Sequence, residues 1–222
     1  MTEVEAKFQA TSPQVLDQIR LRKQVAGYTL SDRRDSPQRD TYLDTTTGLL
    51  TRNGAALRIR KKTSVSGGVE KETQLVTFKA QTEDIYTYTE LEMPITDQQV
   101  QALLSGNLEK VHTEAVEAVV KYLNGESVLP VLHVENTRET WHLNSEAGCI
   151  EVCLDEVRYT DMEGTQSAQE YGVELELKIG KPEFLQRIAG TLSQQYDLIP
   201  TFQSKYERGV RLLNVFGVKA ES

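Results

Sequence analysis

Charge returns at every second residue in strand after strand of this chain. Glu3, Glu5 and Lys7 alternate with Val4, Ala6 and Phe8. In an extended strand, alternate side chains share a face, so the two sets point opposite ways. The pattern recurs downstream. Arg58 and Arg60 oppose Leu57 and Ile59, Thr77 and Lys79 oppose Val76 and Phe78, and Tyr86, Tyr88, Glu90 and Glu92 oppose Leu91 and Met93. Asn136, Arg138 and Thr140 share one face of a later segment. Glu151 and Asp155 oppose Ile150, Val152 and Leu154, and Glu174, Glu176 and Lys178 oppose Val173, Leu175, Leu177 and Ile179. Any one of these strands reads as half-buried, with its polar side in water. As a set they read differently, because the polar faces mix carboxylates with Arg and Lys and hold little Ser, Asn or Gln. An antiparallel sheet curled into a barrel, with charge inside and helices over its apolar exterior, accounts for both. Buried charges without partners cost several kcal/mol each, so such a lumen must be wet, internally paired, or filled by ions and a ligand. An open sheet remains the alternative.

The rest of the chain is strand-rich with helices inserted. Strands are predicted over 2–9, 25–34 and 37–45, from Ala55 to a hairpin at Ser66-Gly67-Gly68, back to Phe78-Lys79, and from Tyr86 to Met93. Three longer strands follow over 130–144, 148–160 and 169–180. Helices are predicted from Ser12-Pro13 to about Lys23, over 96–104 and 113–123, from Pro182 to about Tyr196, and from Gln203 or Ser204 onward, with a turn or short helix at 47–53. This order is not the strict strand–helix alternation of a doubly wound sheet. With about eight or nine strands and about five helices, it predicts an α+β fold over residues 1–222 as a single domain, an antiparallel barrel with helices packed outside.

Composition excludes several classes. Hydrophobic residues make up 38% and charged residues 26%, which fits a folded globular chain. No apolar run approaches the roughly 20 residues that span a bilayer, and no secretory segment opens the chain, so a cytoplasmic protein without a membrane partner is expected. The net charge of −8 argues against a nucleic-acid surface. Cys149 and Cys153 lie about 13 Å apart in an extended strand, too far to bridge, and read as reduced thiols. His112, His133 and His142 fit no metal-ligand spacing, and there is no P-loop. Trp141 reads as packing. Tyr42 and Asp44, beside a turn, read as finishing a strand or orienting lumen residues. At least one of Lys61 and Lys62 should face solvent.

Paired carboxylates on neighbouring strands are hard oxygen donors suited to Mg²⁺ or Mn²⁺. Arg and Lys suit phosphate oxygens, Arg in bidentate fashion. Both together describe a site for a polyphosphate with its metal. The ordered motifs Glu3-x-Glu5-x-Lys7, Tyr42-Leu43-Asp44, Leu57-Arg58-Ile59-Arg60, Phe78-Lys79, Glu90-Leu91-Glu92, Arg138, Glu151 with Asp155, Glu174-Leu175-Glu176 and Ser204-Lys205-Tyr206-Glu207-Arg208 cover essentially the whole chain. This set resembles the CYTH, or triphosphate tunnel metalloenzyme, superfamily. The resemblance implies an eight-stranded tunnel that binds a triphosphate-containing small molecule. Lys7, Arg58, Arg60, Lys79, Arg138 and Lys205, with Arg208, would hold the phosphates. Glu3, Glu5, Asp155, Glu174 and Glu176, with Glu151, would hold one or two Mg²⁺ or Mn²⁺ ions. Glu5, Lys7, Lys79 and Glu90 would act in catalysis, Glu92 would be a ligand or stand behind one, and Lys178 is divided between lumen pairing and exposure.

The implied activity is metal-dependent hydrolysis of triphosphates, inorganic triphosphate first. Cyclisation of ATP to cyclic AMP and hydrolysis of thiamine triphosphate are the alternatives within the family. The acidic balance disfavours an RNA substrate. A non-catalytic polyphosphate or nucleotide sensor is the alternative outside enzymes, and the intact acidic set disfavours it. Monomer and homodimer both remain open. Arg58→Ala is expected to cost activity more than folding, on the ground that it relieves like-charge crowding in the lumen.

Overall fold

The computed structural model describes residues 2–31, 33–66, 69–82 and 87–217. Gly67, Gly68 and Tyr86, used in the sequence reading, lie outside them. The strands are β1 (Thr2–Ala10), β2 (Gln24–Val25), β3 (Tyr28–Thr29), β4 (Arg34–Asp35), β5 (Gln38–Asp44), β6 (Ala55–Ser66), β7 (Val69–Gln81), β8 (Thr87–Pro94), β9 (Leu129–Ser145), β10 (Gly148–Thr160), β11 (Ser167–Gly180) and β12 (Leu198–Thr201). The helices are α1 (Pro13–Arg22), α2 (Leu49–Arg52), α3 (Asp97–Leu104), α4 (Glu114–Val120), α5 (Pro182–Gln195) and α6 (Lys205–Leu212). Eight strands pair in the cyclic order β10-β11-β1-β8-β7-β6-β5-β9, and β9 pairs β10 to close the barrel. Every pairing in the ring is antiparallel. Among the described residues no helix is long and apolar enough to cross a membrane.

The apolar parity of the strands is the outer surface, and helices cover it. Val15, Leu16 and Ile19 of α1 and Phe184, Leu185, Ile188 and Leu192 of α5 pack over Phe8, Trp141, Val152, Leu154, Val173 and Leu175. Trp141 is thus a packing residue. On the other side α3 and α4 place Val100, Leu103, Val116 and Val119 on Leu57, Ile59, Val76 and Phe78. Burial of this kind is worth roughly 25 cal/mol per Å², and each large side chain contributes a few kcal/mol.

Two local expectations fail. The strand expected over 25–34 is broken into β2, β3 and β4. Ala26 and Gly27 both take positive φ, 50° and 81°, and turn the chain back as a two-residue hairpin. The short strand β12 was not anticipated; it pairs with β1 from Lys7↔Thr201 to Ala10↔Leu198. Its Pro200 weakens the strand signal.

One helix sits differently from the others. Leu132 and Val134 share the parity of Arg138, and Val157 and Tyr159 that of Asp155, so all four face the lumen. With Tyr42 they form an apolar floor on which Tyr206 and Leu213 pack. The approach is close: a Cβ on Gly209 would lie 2.6 Å from both Leu132 Cδ2 and Tyr159 Cδ1. Helix α6 therefore plugs one end of the barrel, and glycine at 209 lets it sit there. Its start is fixed by a capping box, in which Glu207 N donates to Ser204 Oγ (3.2 Å) and Ser204 N to Glu207 Oε2 (2.6 Å). That places Lys205 at the first helical position, beside the lumen.

Candidate active site

A cavity of about 240 Å³ lies inside the barrel, and eight Glu and eight Lys or Arg line it. The charges are interleaved. Lys79 Nζ lies 2.8 Å from Glu3 Oε2, 2.9 Å from Glu5 Oε1 and 3.4 Å from Glu90 Oε2. Lys7 Nζ donates to the same Glu5 Oε1 (3.1 Å) and to the Tyr88 hydroxyl (2.9 Å). Arg58 reaches Glu90 at 3.2 Å, and Arg60 holds Asp40 with two bonds of 2.8 and 2.7 Å. Across the lumen, Arg138 grips Asp155 with two bonds of 2.7 Å and also binds Glu174. Lys205 binds Glu174 and lies 2.9 Å from Asp155. A third, more exposed group joins Lys178 to Glu176 (2.6 Å) and Glu151 (3.4 Å), with His142 Nε2 at 3.5 Å from Glu151.

Burial and pairing split the carboxylates. Burial, helped by its hydrogen bond with Glu90, pushes the Glu3 carboxyl up to about 8. For Glu90 burial acts the same way, but the bond from Glu3 and the charges of Arg58 and Lys79 outweigh it and hold Glu90 at about 2. Asp155 and Glu174 are also buried, yet Arg138 and Lys205 hold both below the ordinary carboxylate range. The Arg60 and Arg58 charges do the same for Asp40. Burial raises Glu176, and it pushes the Cys153 thiol up to about 12, so that cysteine stays a thiol.

These shifts predict how stability depends on pH. Groups with lowered values stabilise the fold above their unfolded values, near 4, and that contribution is lost as pH falls. Glu3 acts in the opposite sense: the folded chain keeps a proton that the unfolded chain releases near 4.5, so its contribution is lost as pH rises toward 8. The melting temperature without ligand or metal is expected to fall by about 5 °C from about pH 5 to about 8.5. Glu3→Gln has no proton to lose and should flatten this fall in differential scanning fluorimetry. An undiminished fall in that variant would assign it to other groups.

Whether the residues fit a divalent cation follows from their chemistry. Glu5 faces Glu176 across β1 and β11, and Glu176 faces Glu151 across β11 and β10. Three carboxylates thus occupy one row of the wall, where like charges directly opposite are destabilising. Lys178 offsets two of them. The wall sets eight acidic side chains, Glu3 among them still protonated at neutral pH, against eight basic ones, so a triphosphate would bring in several negative charges that this near-balanced wall does not neutralise. Hard oxygen donors in a row and a deficit of positive charge fit Mg²⁺ or Mn²⁺. Among the described residues no three acidic, His or Cys side chains already converge as a metal centre, because ammonium and guanidinium groups separate them.

Of the residues singled out by sequence, Glu3, Glu5, Lys7, Arg58, Arg60, Lys79, Glu90, Glu92, Arg138, Glu151, Glu174, Glu176, Lys178 and Lys205 all line the cavity. Asp155 lies just behind the lining, 1% exposed, under Arg138 and Lys205. Arg208 is not in the lining: it donates to Glu170 Oε1 (2.6 Å) and to the Gln203 carbonyl (2.5 Å). Lys61 pairs with Glu72 on the exposed side, whereas Lys62 reaches the cavity. Sequence reasoning missed Asp40, Gln38, Glu207 and the role of Tyr88. Asp40 shares parity with Tyr42 and Asp44, which was the available signal.

The family model of the CYTH domain matches residues 1–210. No curated protein matches the chain by sequence. Among solved structures, a candidate adenylate cyclase of Bacillus halodurans superposes with a TM-score of 0.65 at 18% identity, covering 93% of this chain and 96% of that one. A candidate adenylyl cyclase of Hippeastrum, reported to have a dominant triphosphatase activity, gives 0.60 at 19% identity over 93% and 95%. A protein of Pyrococcus horikoshii gives 0.55 at 21% identity over 95% and 99%. At these identities the neighbours establish the fold, the same closed tunnel. The family match over nearly the full length makes this chain a member of the CYTH family.

Proposed function

We propose that this protein hydrolyses the terminal phosphate of a triphosphate, with inorganic triphosphate as the preferred substrate and pyrophosphate and phosphate as products. One observation carries the reading: Lys7, Arg58, Arg60, Lys79, Arg138 and Lys205, drawn from four strands and a helix, all line one cavity. The lining is mainly polar, and its three aromatic residues are already engaged. Tyr42 stacks on Tyr206, and Tyr88 contacts two lysines. An adenine or thiamine ring finds no free aromatic shelf among the described residues, which favours a substrate without an organic group.

In this reading the six cations bind non-bridging oxygens and spread the charge that develops as the bond to pyrophosphate breaks. Glu90, kept ionised, orders Arg58 and Lys79. Glu5, Glu151 and Glu176, with Glu3, Asp155 and Glu174, are the residues that would hold Mg²⁺ or Mn²⁺. That ion would supply Lewis-acid neutralisation of the phosphate oxygens. A lumen carboxylate, or a second ion held by this acidic set, would position the attacking water.

Purified protein should release phosphate from tripolyphosphate in the presence of Mg²⁺ or Mn²⁺, and EDTA should abolish the release. ATP and thiamine triphosphate, assayed beside it for phosphate and cyclic AMP, test the two alternatives. Phosphate release no greater than that of a Glu5→Gln control, with all three substrates, would sink the proposal.

A further inference from the structure

We propose that Tyr88 is a positioning residue that keeps the ammonium groups of Lys7 and Lys79 side by side while Glu5 is drawn away. This rests on the triphosphate reading above. Both ammoniums hydrogen-bond to one oxygen, Glu5 Oε1, at 3.1 and 2.9 Å. That oxygen cannot also ligate a cation without loosening both. Tyr88 offers a second shared partner that needs no carboxylate. Lys7 Nζ lies 4.1 Å and Lys79 Nζ 4.6 Å from the centre of its ring. A ring face attracts cations through its quadrupole, and more strongly where water is excluded. Tyr88 is only 5% exposed, which strengthens the attraction.

Its hydroxyl adds two ties. It accepts from Lys7 Nζ at 2.9 Å and donates to the Phe202 carbonyl at 3.3 Å. Phe202 lies in the segment leading to Ser204 and Lys205. The backbone of Tyr88 is held in the sheet, paired with Glu3 on β1 and with Gln81 on β7. Tyr88 therefore connects two lysines of the lumen with the approach to the plug helix that carries a third. With Glu5 engaged elsewhere, two ammoniums would otherwise repel each other. Held by the ring, they present paired donors to adjacent phosphate oxygens.

The test separates ring from hydroxyl. Tyr88→Phe keeps the ring and should raise KM for tripolyphosphate about threefold. Tyr88→Leu removes both and should raise KM at least about tenfold, with kcat lowered less. In a Lys7→Ala background, Tyr88→Leu should add far less than it does alone, since one of its two clients is gone. Ring-current shifts of the Lys7 and Lys79 side-chain NMR signals should persist in the ligand-free Phe variant and vanish in the Leu variant. A Leu variant with unchanged KM, or one whose effect adds fully to that of Lys7→Ala, would overturn the inference. Failure of the triphosphate reading would instead appear in the wild type, as absence of any turnover or binding of tripolyphosphate by calorimetry.

Discussion

Arg58→Ala is expected to lower kcat/KM for triphosphate hydrolysis by at least about 100-fold while the protein stays folded. The size follows from the chemistry: a single preorganised donor aimed at developing charge is commonly worth that much. Arg58 is well placed to be one. It lines the cavity, and its buried Nε has no hydrogen-bond partner, the nearest acid oxygen being Asp40 Oδ2 at 3.8 Å. The guanidinium as a whole lines the cavity, and its charge acts on whatever anion enters. Folding should suffer little, but for a different reason from the like-charge crowding expected from sequence. The structure shows cations and acids interleaved, so no crowding is there to relieve. The loss is tolerated because each acid that Arg58 touches keeps another cation: Glu90 has Lys79 at 3.4 Å, and Asp40 has Arg60. The melting temperature should drop by no more than about 5 °C. Steady-state kinetics and thermal melts on the same preparation decide the matter. Activity within threefold of wild type, or a variant unfolded at 25 °C, would contradict it.

Asp44→Ala should do the reverse, with its main cost in stability. Asp44 is fully buried. Its Oδ1 accepts from Thr45 N (2.7 Å) and Leu50 N (2.9 Å). Its Oδ2 accepts from Thr51 N (3.0 Å), Thr51 Oγ1 (2.9 Å) and the Tyr206 hydroxyl (2.8 Å). Removing the carboxylate leaves several donors buried without a partner, each costing about 1–3 kcal/mol. A total of about 3–5 kcal/mol corresponds to a fall in melting temperature of about 10 °C or more for a chain of this size. The damage should also reach the cavity. Tyr206 stacks on Tyr42 with ring centres 4.7 Å apart, and its bond to Asp44 fixes the turn of α6 that carries Lys205. Asp44→Asn keeps one acceptor oxygen and should be milder. An Asp44→Ala protein that melts with the wild type would remove this latch from the account.

Period-two alternation made the lumen legible before any coordinates. Which side chains face inward along one strand depends only on backbone geometry a few residues long, so Glu3, Lys7, Arg60, Lys79 and Glu176 could all be assigned to the charged face. The same pattern pointed to a barrel, because charge on one face of so many strands favours an enclosed surface, though it left an open sheet as the alternative that only β9–β10 pairing removed. Local chemistry also placed most helix ends, such as Ser12-Pro13 and the capping residue Ser204. Its limits were local too. The turn at Ala26-Gly27 and the strand at Leu198–Thr201 lay in segments with no sustained alternation.

Partnership was beyond the reach of any such pattern. Parity says that Arg60 and Asp40 point inward, not that barrel register sets them opposite each other across β5 and β6. Helical spacing puts Arg208 one turn from Lys205, yet Arg208 runs to Glu170 while Lys205 reaches Asp155 and Glu174. That divergence exists because α6 enters the barrel end against Leu132 and Tyr159, a contact between segments more than 45 residues apart. Side-chain direction is a property of neighbouring residues and can be read along the chain. The company each charge keeps depends on strand register, barrel closure and helix docking, which only long-range packing sets.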